Sequence, residues 1–167
     1  MIKDSGNRTK FESGAVRDIQ EGKGRCDLMP LDVVGDLSTN GKCDDIFTRI
    51  YQFQTTSDVT YLKLAIDYFN EQRGWHISTM LLEVAKHFEE GAKKYGERNW
   101  EKGIPVRCYL DSGIRHYLKW LRADIDEHHD RAFCWNMLCA IWTCKHKPEL
   151  NDYRKEGDVD EMSQVRE

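Results

Sequence analysis

The sequence predicts an all-α fold, a helical bundle with an extended N-terminal arm. Apolar residues recur at helical spacing over most of the chain, as at Leu62, Ala65, Ile66 and Phe69. No stretch shows the alternation of apolar and polar residues that is typical of a half-buried strand, and the β-branched residues are scattered. Glycine and proline fall between the periodic runs, where they separate one helix from the next.

Residues 1–29 form the predicted arm. Glycines and serines are scattered through its first 25 residues, which carry six basic and four acidic residues, a balance of +2. Composition alone favours a loose terminus. The functional alternative is a phosphate contact, because Gly22 and Gly24 let backbone amides approach an anion beside Lys23 and Arg25.

The helices of the predicted domain, residues 30–146, follow in order. Short periodic runs predict helices over 31–34, 46–53 and 59–71, and residues 36–75 are interpreted as an insertion. The next helix runs from Ile77 to a stop at Gly96. After a loop, further helices are predicted to begin at Asp111-Ser112 and near Glu127. Residues 147–167 carry seven acidic and four basic residues and form a predicted acidic tail.

The helix that begins at Ile77 carries two stripes. Leu81, Val84 and Phe88 stand at helical spacing and form the predicted buried face. Glu83, His87 and Glu90 stand at i, i+4 and i+7, so they share a second face. A charged stripe is usually a solvated face, and metal binding is the sharper alternative.

A second acidic pair opens the most apolar helix of the chain. Glu127 and Asp130 stand one turn apart there, and acidic groups beside so apolar a helix need a partner, a cation or the helix N-terminus itself. Two such helices, packed antiparallel, can place hard oxygen ligands around Mg²⁺ or Mn²⁺. The predicted metal ligands are Glu83, His87, Glu90, Glu127 and Asp130.

Composition and charge narrow the function class. No apolar run approaches the ~18 residues of a membrane span, and the polar start lacks the apolar segment of a signal peptide, which predicts a cytoplasmic protein. A net charge of −4 argues against a nucleic-acid partner. The six cysteines form no CxxC pair, so reduced thiols are expected; a structural zinc site is the weaker alternative.

Several motifs together resemble the phage-borne dATP/dGTP diphosphohydrolase family. The arm sequence EGKGRCDLMP, residues 21–30, is similar to the family signature GKxRxDLLP. GAKKYGERNW, residues 91–100, followed by KGIP, is similar to a second signature. The other matching residues occur in the expected order over a resemblance of roughly residues 5–145: Tyr109, Asp111, Ser112, Arg115, His116, Asp126, Glu127, Trp135 and Asn136.

The family in turn resembles the all-α pyrophosphohydrolases of the MazG-like kind. Those enzymes hold Mg²⁺ with an EExxE motif and an ExxD motif on facing helices, and they release pyrophosphate from a nucleoside triphosphate. Glu127-His128-His129-Asp130 matches ExxD as it stands. The first motif departs from the pattern, because Glu89-Glu90 is followed by Lys93 where a third glutamate would stand; Glu83, His87 and Glu90 are taken as its substitute.

The resemblance implies a Mg²⁺- or Mn²⁺-dependent enzyme that hydrolyses dATP and dGTP to monophosphate and pyrophosphate. Glu90 would orient the attacking water, and Lys94 would stabilise charge in the transition state. Trp100 would either stack on a base or anchor its loop. The implied substrate contacts are Lys23, Arg25, Lys94, Arg98, Asn99, Trp100, Arg115 and His116.

Two other function classes stay open at this level, a nucleotide-sequestering protein without catalysis and a purely structural member of the family. If the chain is phage-encoded, its expected location is the host cytoplasm. A homo-oligomer, a dimer or tetramer, is also predicted, because one small bundle would not bury all of its large apolar side chains. These include Phe47, Tyr51, Phe53, Tyr61 and Phe69.

Overall fold

The computed structural model describes residues 6–36 and 44–154 and confirms the all-α class. The predicted turn at Asn40-Gly41 and most of the predicted acidic tail lie outside the described residues. Six α-helices lie within the described ranges: α1 Leu31–Asp36, α2 Asp44–Thr56, α3 Thr60–Arg73, α4 Ile77–Tyr95, α5 Val106–Leu121 and α6 His129–His146. Short 3₁₀ turns lie at Cys26–Leu28, Asn99–Lys102 and Pro148–Leu150.

The arm contains two short strands, so the prediction of a chain without strands is wrong there. β1, Arg8–Lys10, pairs antiparallel with β2, Val16–Asp18, with Thr9 opposite Arg17. The turn between them is closed by a hydrogen bond from the Phe11 amide to the Ala15 carbonyl, 2.9 Å. A three-residue strand is too short to display an alternating pattern, which explains why the sequence did not reveal it.

The helix ends predicted from glycines are confirmed, whereas a helix start predicted from a polar capping residue is wrong. Gly74 follows α3 in the left-handed conformation, φ 69°, and Gly96 follows α4. α5 begins at Val106, directly after Pro105, so the predicted start at Asp111-Ser112 is wrong. Asp111 lies buried inside α5, where its carboxylate accepts a hydrogen bond from the Cys26 amide, 2.7 Å, instead of capping its own helix.

The core lies between α3, α5 and α6. The ring centroid of Phe69 on α3 lies 4.8 Å from that of Phe133 on α6 and 6.0 Å from that of Tyr117 on α5. Gly113 marks a close approach of α5 to α6, because a Cβ at that position would overlap Met137. α3 lies largely within the region interpreted as an insertion, yet its side chains form part of the common core.

Burial within the single chain accounts for most of the side chains that were used to predict an oligomer, but Tyr51 is 37% exposed. Phe47, Phe53 and Phe69 are buried within the single chain, and Tyr61 is half-buried. The oligomer itself stays a prediction. A different set of large apolar side chains is exposed near the start of α4, namely Ile77, Leu81 and Leu82. Leu81 was expected on the buried face of that helix, where Met80 and Val84 lie instead.

The described cysteines are free thiols, as expected for reduced residues: Cys26, Cys108, Cys134, Cys139 and Cys144. Burial raises the pKa of Cys144 to about 12 and shifts the pKa of Cys139 upward as well, so both thiols stay protonated at neutral pH. Cys43 lies outside the described residues. Within the described ranges, none of the helices combines the length and apolarity that a membrane crossing requires.

Leu62→Ala is expected to lower the free energy of unfolding by about 2–5 kcal/mol, because it opens a cavity at a fully buried position of α3. Leu28→Ala, the same change at a side chain that is 70% exposed, is the matched control, with an expected change within about 0.5 kcal/mol. Urea unfolding followed by circular dichroism measures both. Equal losses in the two variants would show that α3 is not part of the cooperative core.

Candidate functional site

A cavity of about 850 Å³ lies between the arm and the helical bundle. Residues 16–20 and Lys23 of the arm line one wall. The opposite walls come from the C-terminal half of α4, the turn after it, α5 and the segment before α6. Of the residues predicted from sequence, those that line the cavity are Lys23, His87, Arg98, Asn99, Trp100, Arg115, His116 and Glu127. Arg25, Glu83, Glu90, Lys94 and Asp130 are not among the lining residues.

Two of the predicted substrate contacts fasten the arm. The buried Asn99 side chain donates to the Val16 carbonyl, 2.8 Å, and accepts from the Val16 amide, 2.9 Å, so it pairs with β2 as a neighbouring strand would. Lys94 donates to the carboxylate of Asp18 at 2.8 Å, and its side chain is only 8% exposed. Burial alone would lower the pKa of Lys94, but its hydrogen bonds to Asp18 and Tyr95 leave it raised. Lys94 therefore holds the arm in place through an ion pair with Asp18.

Arg115 holds the next part of the arm from α5. Its guanidinium donates to the carbonyls of Lys23, 3.1 Å, and Gly24, 2.9 Å, and it pairs with Asp111. Lys23 is exposed and lines the cavity. Partial loss of solvent around its ammonium lowers its pKa, and the attraction of Asp18 opposes that shift. Arg25 instead makes a two-point hydrogen bond with Asp27, at 2.7 and 2.6 Å, which raises its pKa.

The turn after α4 presents Arg98 and Trp100 to the cavity. Arg98 adopts a left-handed conformation, φ 52°, and pairs with Glu101 on the surface. The Trp100 ring packs edge-on against Trp142, with centroids 4.9 Å apart, and lies 5.5 Å from the ring of Phe88. These contacts anchor the turn to the bundle while part of the indole still faces the cavity.

The carboxylates predicted to bind metal from α4 face a guanidinium. Arg131 of α6 donates from Nη2 to Glu90 at 2.7 Å, and its Nη1 lies 4.0 Å from Glu83. The Arg131 side chain is only 5% exposed, so its charge needs these acids. Burial would raise the pKa of Glu90, but the attraction of Arg131 leaves it lowered. An arginine thus lies where the sequence predicted a metal ion.

Asp130, the last residue of the ExxD motif, also turns away from the cavity. Its carboxylate accepts a hydrogen bond from Arg73 on α3 at 3.1 Å and another from the Arg131 amide at 2.9 Å. Among the described residues, no cluster of three potential metal ligands includes Glu83, Glu90 or Asp130. The four predicted carboxylates therefore do not converge. The sequence-based prediction for α6 rested on its apolar residues and did not consider the positive charge of Arg131 beside Asp130.

The clusters that do form centre on His129, which sequence analysis did not select. Its Nδ1 lies 2.9 Å from Nδ1 of His116, and its Nε2 lies 2.8 Å from Oδ1 of Asp126. Asp126 also accepts from Lys119 at 3.1 Å, and Glu127 Oε2 lies 3.9 Å from His116 Nδ1. The hydrogen bonds from Lys119 and His129 lower the pKa of Asp126, so this carboxylate stays ionised. The i, i+3 spacing of Asp126 and His129 was the available signal.

Arg17 is a second residue that sequence analysis did not place in the site. It lines the cavity, donates from Nη2 to Asn136 at 2.6 Å, and lies 5.1 Å from the ring centroid of Tyr109. Among the described residues no carboxylate forms an ion pair with it, and its buried Nη1 has no hydrogen-bond partner. Its charge helps to lower the pKa of both Lys23 and His87. Arg17 therefore brings to the cavity a positive charge that has no ion-pair partner among the described residues, although carboxylates line the cavity elsewhere.

His87 stands on the cavity wall as a neutral ring. Its centroid lies 5.3 Å from that of Trp135. Burial, followed by the charge of Arg131, lowers its pKa from 6.5 to about 4. A histidine whose pKa is lower in the folded state stabilises the fold fully above the unfolded value, and that contribution is lost as pH falls towards the folded value.

His87→Gln is expected to flatten the pH dependence of stability, because glutamine does not titrate. Between about pH 7.5 and about pH 4.5, the wild type should lose roughly 2–3 kcal/mol more unfolding free energy than the variant. Urea unfolding at both pH values measures the difference. Parallel losses in the two proteins would contradict a half-buried, neutral His87.

The chain was compared with known families, curated proteins and solved structures. No curated protein and no solved structure matches the chain. The model of one family, described as dATP/dGTP diphosphohydrolase, N-terminal, matches residues 67–153, slightly more than half of the 167 residues. The matched stretch holds α4, α5, α6 and the histidine cluster, whereas the arm precedes it. The chain belongs to the dATP/dGTP diphosphohydrolase family, through the N-terminal domain of that family.

Proposed function

We propose that the protein hydrolyses the purine deoxynucleoside triphosphates dATP and dGTP to monophosphate and pyrophosphate in this cavity, with Mg²⁺ or Mn²⁺. The observation that carries the proposal is Arg17, a cavity-lining guanidinium without a carboxylate partner among the described residues. A charge in that position lacks compensation until an anion binds. The family supplies the class of anion, since its name specifies dATP and dGTP.

The walls of the cavity suit the two halves of a nucleotide. Arg17 and Lys23 place positive charge on the arm side, where a phosphate chain would lie. Arg115 of α5, which bonds the Lys23 and Gly24 carbonyls, lies next to them. Phe88, Trp100 and Trp135 offer aromatic surface on the opposite side, where a base would pack. The volume of about 850 Å³ falls within the ~300–1,000 Å³ of typical small-molecule pockets.

The proposed reaction is attack of water on the α-phosphorus. A new P–O bond forms there, the bond from the α-phosphorus to the bridging oxygen breaks, and pyrophosphate leaves with the electron pair. The proton of the water passes to an acceptor on the cavity wall, and the lining residues that could accept it include His87. A bound divalent cation would neutralise the phosphates and lower the pKa of a coordinated water.

Several of the site residues predicted from the sequence take supporting roles in this proposal. Glu90 and Glu83 hold Arg131, and Asp130 holds Arg73, so we do not assign Glu90 to the attacking water. Lys94 and Asn99 hold the arm in place over the cavity. Arg25 is committed to Asp27 and is not assigned to the substrate.

The alternative function is sequestration of a nucleotide without cleavage. One observation favours it: an arginine pairs with the α4 carboxylates that were expected to bind the metal, so that metal site is not built as the sequence predicted. Binding needs only the cationic wall, whereas hydrolysis also needs a cation and a positioned water.

Incubation of the protein with each deoxynucleoside triphosphate separates the two functions. Separate reactions would contain Mg²⁺, Mn²⁺ or a chelator, and chromatography would resolve nucleoside mono-, di- and triphosphates. Monophosphate and pyrophosphate from dATP and dGTP, formed only with a cation, are the expected result. Tight binding with intact nucleotide recovered would support sequestration, and neither binding nor turnover would reject both functions.

Arg17→Gln is expected to weaken binding of dGTP roughly ten- to hundredfold, because a charge-assisted hydrogen bond contributes about 1.5–3 kcal/mol. Arg122→Gln is the matched control, since Arg122 is exposed, pairs with Asp124 and does not line the cavity. Calorimetric titration measures both affinities, and circular dichroism checks the fold. Equal affinities in the two variants would remove Arg17 from the phosphate site.

A further inference from the structure

We infer that His116, Glu127 and His129 form the divalent-metal site of this protein, with Asp126 as the residue that orients His129. The set supplies two imidazoles and one carboxylate, so it would bind Mn²⁺, Co²⁺ or Zn²⁺ in preference to Mg²⁺, which favours oxygen ligands. The binding claim stands on geometry alone. Its catalytic meaning rests on the proposed function.

The ligand atoms are already close together. Nδ1 of His116 and Nδ1 of His129 lie 2.9 Å apart, and Oε2 of Glu127 lies 3.9 Å from Nδ1 of His116. One ligand atom from each of the three residues lies within 4.8 Å of the other two. Two nitrogens bound tetrahedrally at ~2.0–2.1 Å from one metal ion are separated by roughly 3.3 Å. Small side-chain adjustments would therefore admit a cation.

The other nitrogen of His129 is held as metal-binding histidines usually are. Nε2 lies 2.8 Å from Asp126 Oδ1, and the carboxylate is fixed in turn by Lys119 at 3.1 Å. When Nε2 donates its proton to Asp126, the lone pair of a neutral His129 is on Nδ1 and points towards His116. Metal-bound histidines commonly donate their second ring N–H to a carboxylate in this way, which fixes the tautomer.

The contact between the two imidazoles needs either a hydrogen or a cation between the facing nitrogens. Two Nδ1 lone pairs at 2.9 Å would repel each other, so either a proton on His116 or a cation has to lie near both. His129 is only 2% exposed, so water has little access to that contact from its side. A shared proton predicts a plain hydrogen bond, and a cation predicts a metal site. The experiment below distinguishes the two.

The position of the cluster suits a cation that meets a substrate. His116 and Glu127 both line the cavity, whereas His129 lies behind them. Protein ligands on one side leave the remaining coordination positions to water or to a phosphate oxygen, the arrangement of a catalytic rather than a structural metal site. By contrast, the carboxylates of α4 are already compensated by Arg131.

The experiment is a titration of the metal-free full-length protein with Co²⁺, without nucleotide, followed by visible absorption and calorimetry. We expect one Co²⁺ per chain, with the intense d–d bands of a low-coordinate, nitrogen-containing site, and competition by Zn²⁺ and Mn²⁺. Glu127→Gln and His116→Gln should lower Co²⁺ affinity at least tenfold, and Asp126→Asn roughly ten- to hundredfold. Glu71→Gln, at an exposed carboxylate of α3 that does not line the cavity, is the matched control and should leave the affinity and the spectrum unchanged. Glu90→Gln tests the α4 site predicted from the sequence.

Each opposing result has a definite meaning. Absence of Co²⁺ binding, or binding that His116→Gln and Glu127→Gln leave unchanged, would overturn the inference and leave a hydrogen-bonded histidine pair. Loss of Co²⁺ binding in Glu90→Gln, but not in the other variants, would instead place the metal site on α4, as the sequence predicted. His116 is at the edge of the cluster, so its variant keeps the test valid if substitution of the buried His129 unfolds the chain. A protein that binds Co²⁺ here but cleaves no nucleotide would reject the proposed function alone.

Discussion

The ion pair between Arg131 and Glu90 determines how the rest of the site is arranged. A guanidinium that is 95% buried is strongly destabilising without an acid beside it, so α4 has to present its carboxylates to α6. This contact joins the two helices. It also neutralises the α4 carboxylates with Arg131, on the side away from the cavity. A combination of imidazole and carboxylate groups lies instead at the junction of α5 and α6, around His129.

The arm is the second structural requirement, because it forms a complete wall of the cavity. Its residues are held from three directions: by the amide of Asn99, by the ammonium of Lys94 and by the guanidinium of Arg115. Polar groups that resemble substrate contacts in the sequence are therefore used to place the arm, and the arm in turn brings Arg17 to the cavity. A charge on a loosely held segment would gain little from one phosphate contact, since ordering the segment costs conformational entropy. Fastening it in advance removes that cost.

Local signals in the sequence were sufficient for much of the fold. Gly74 and Gly96 end their helices because the positive φ there suits glycine, and such a signal depends on a few neighbouring residues. The failures involve partners that are distant in the chain. Asp111 was interpreted as a helix cap, but it bonds the amide of Cys26, 85 positions away. The arm strands are three residues each, and Asn99 and Lys94 hold the second of them, so no periodicity in the arm could have indicated them.

The site residues were likewise predicted from local signals, and the wrong assignments again involve partners that are distant in the chain. The reason is electrostatic. Residue types and spacing identified groups able to bind metal or phosphate, but not which of them would be neutralised by another part of the protein. Glu90 was selected because it shares a helix face with Glu83 and His87, and Lys94 because of the family resemblance; in the structure each is compensated, by Arg131 and by Asp18. Arg17 lies in the arm outside the quoted signatures, and His129 occupies an unspecified position of the ExxD motif, so neither was selected. A charge that is compensated internally stabilises the fold, and one that is not is available to a ligand; only the tertiary structure distinguishes the two.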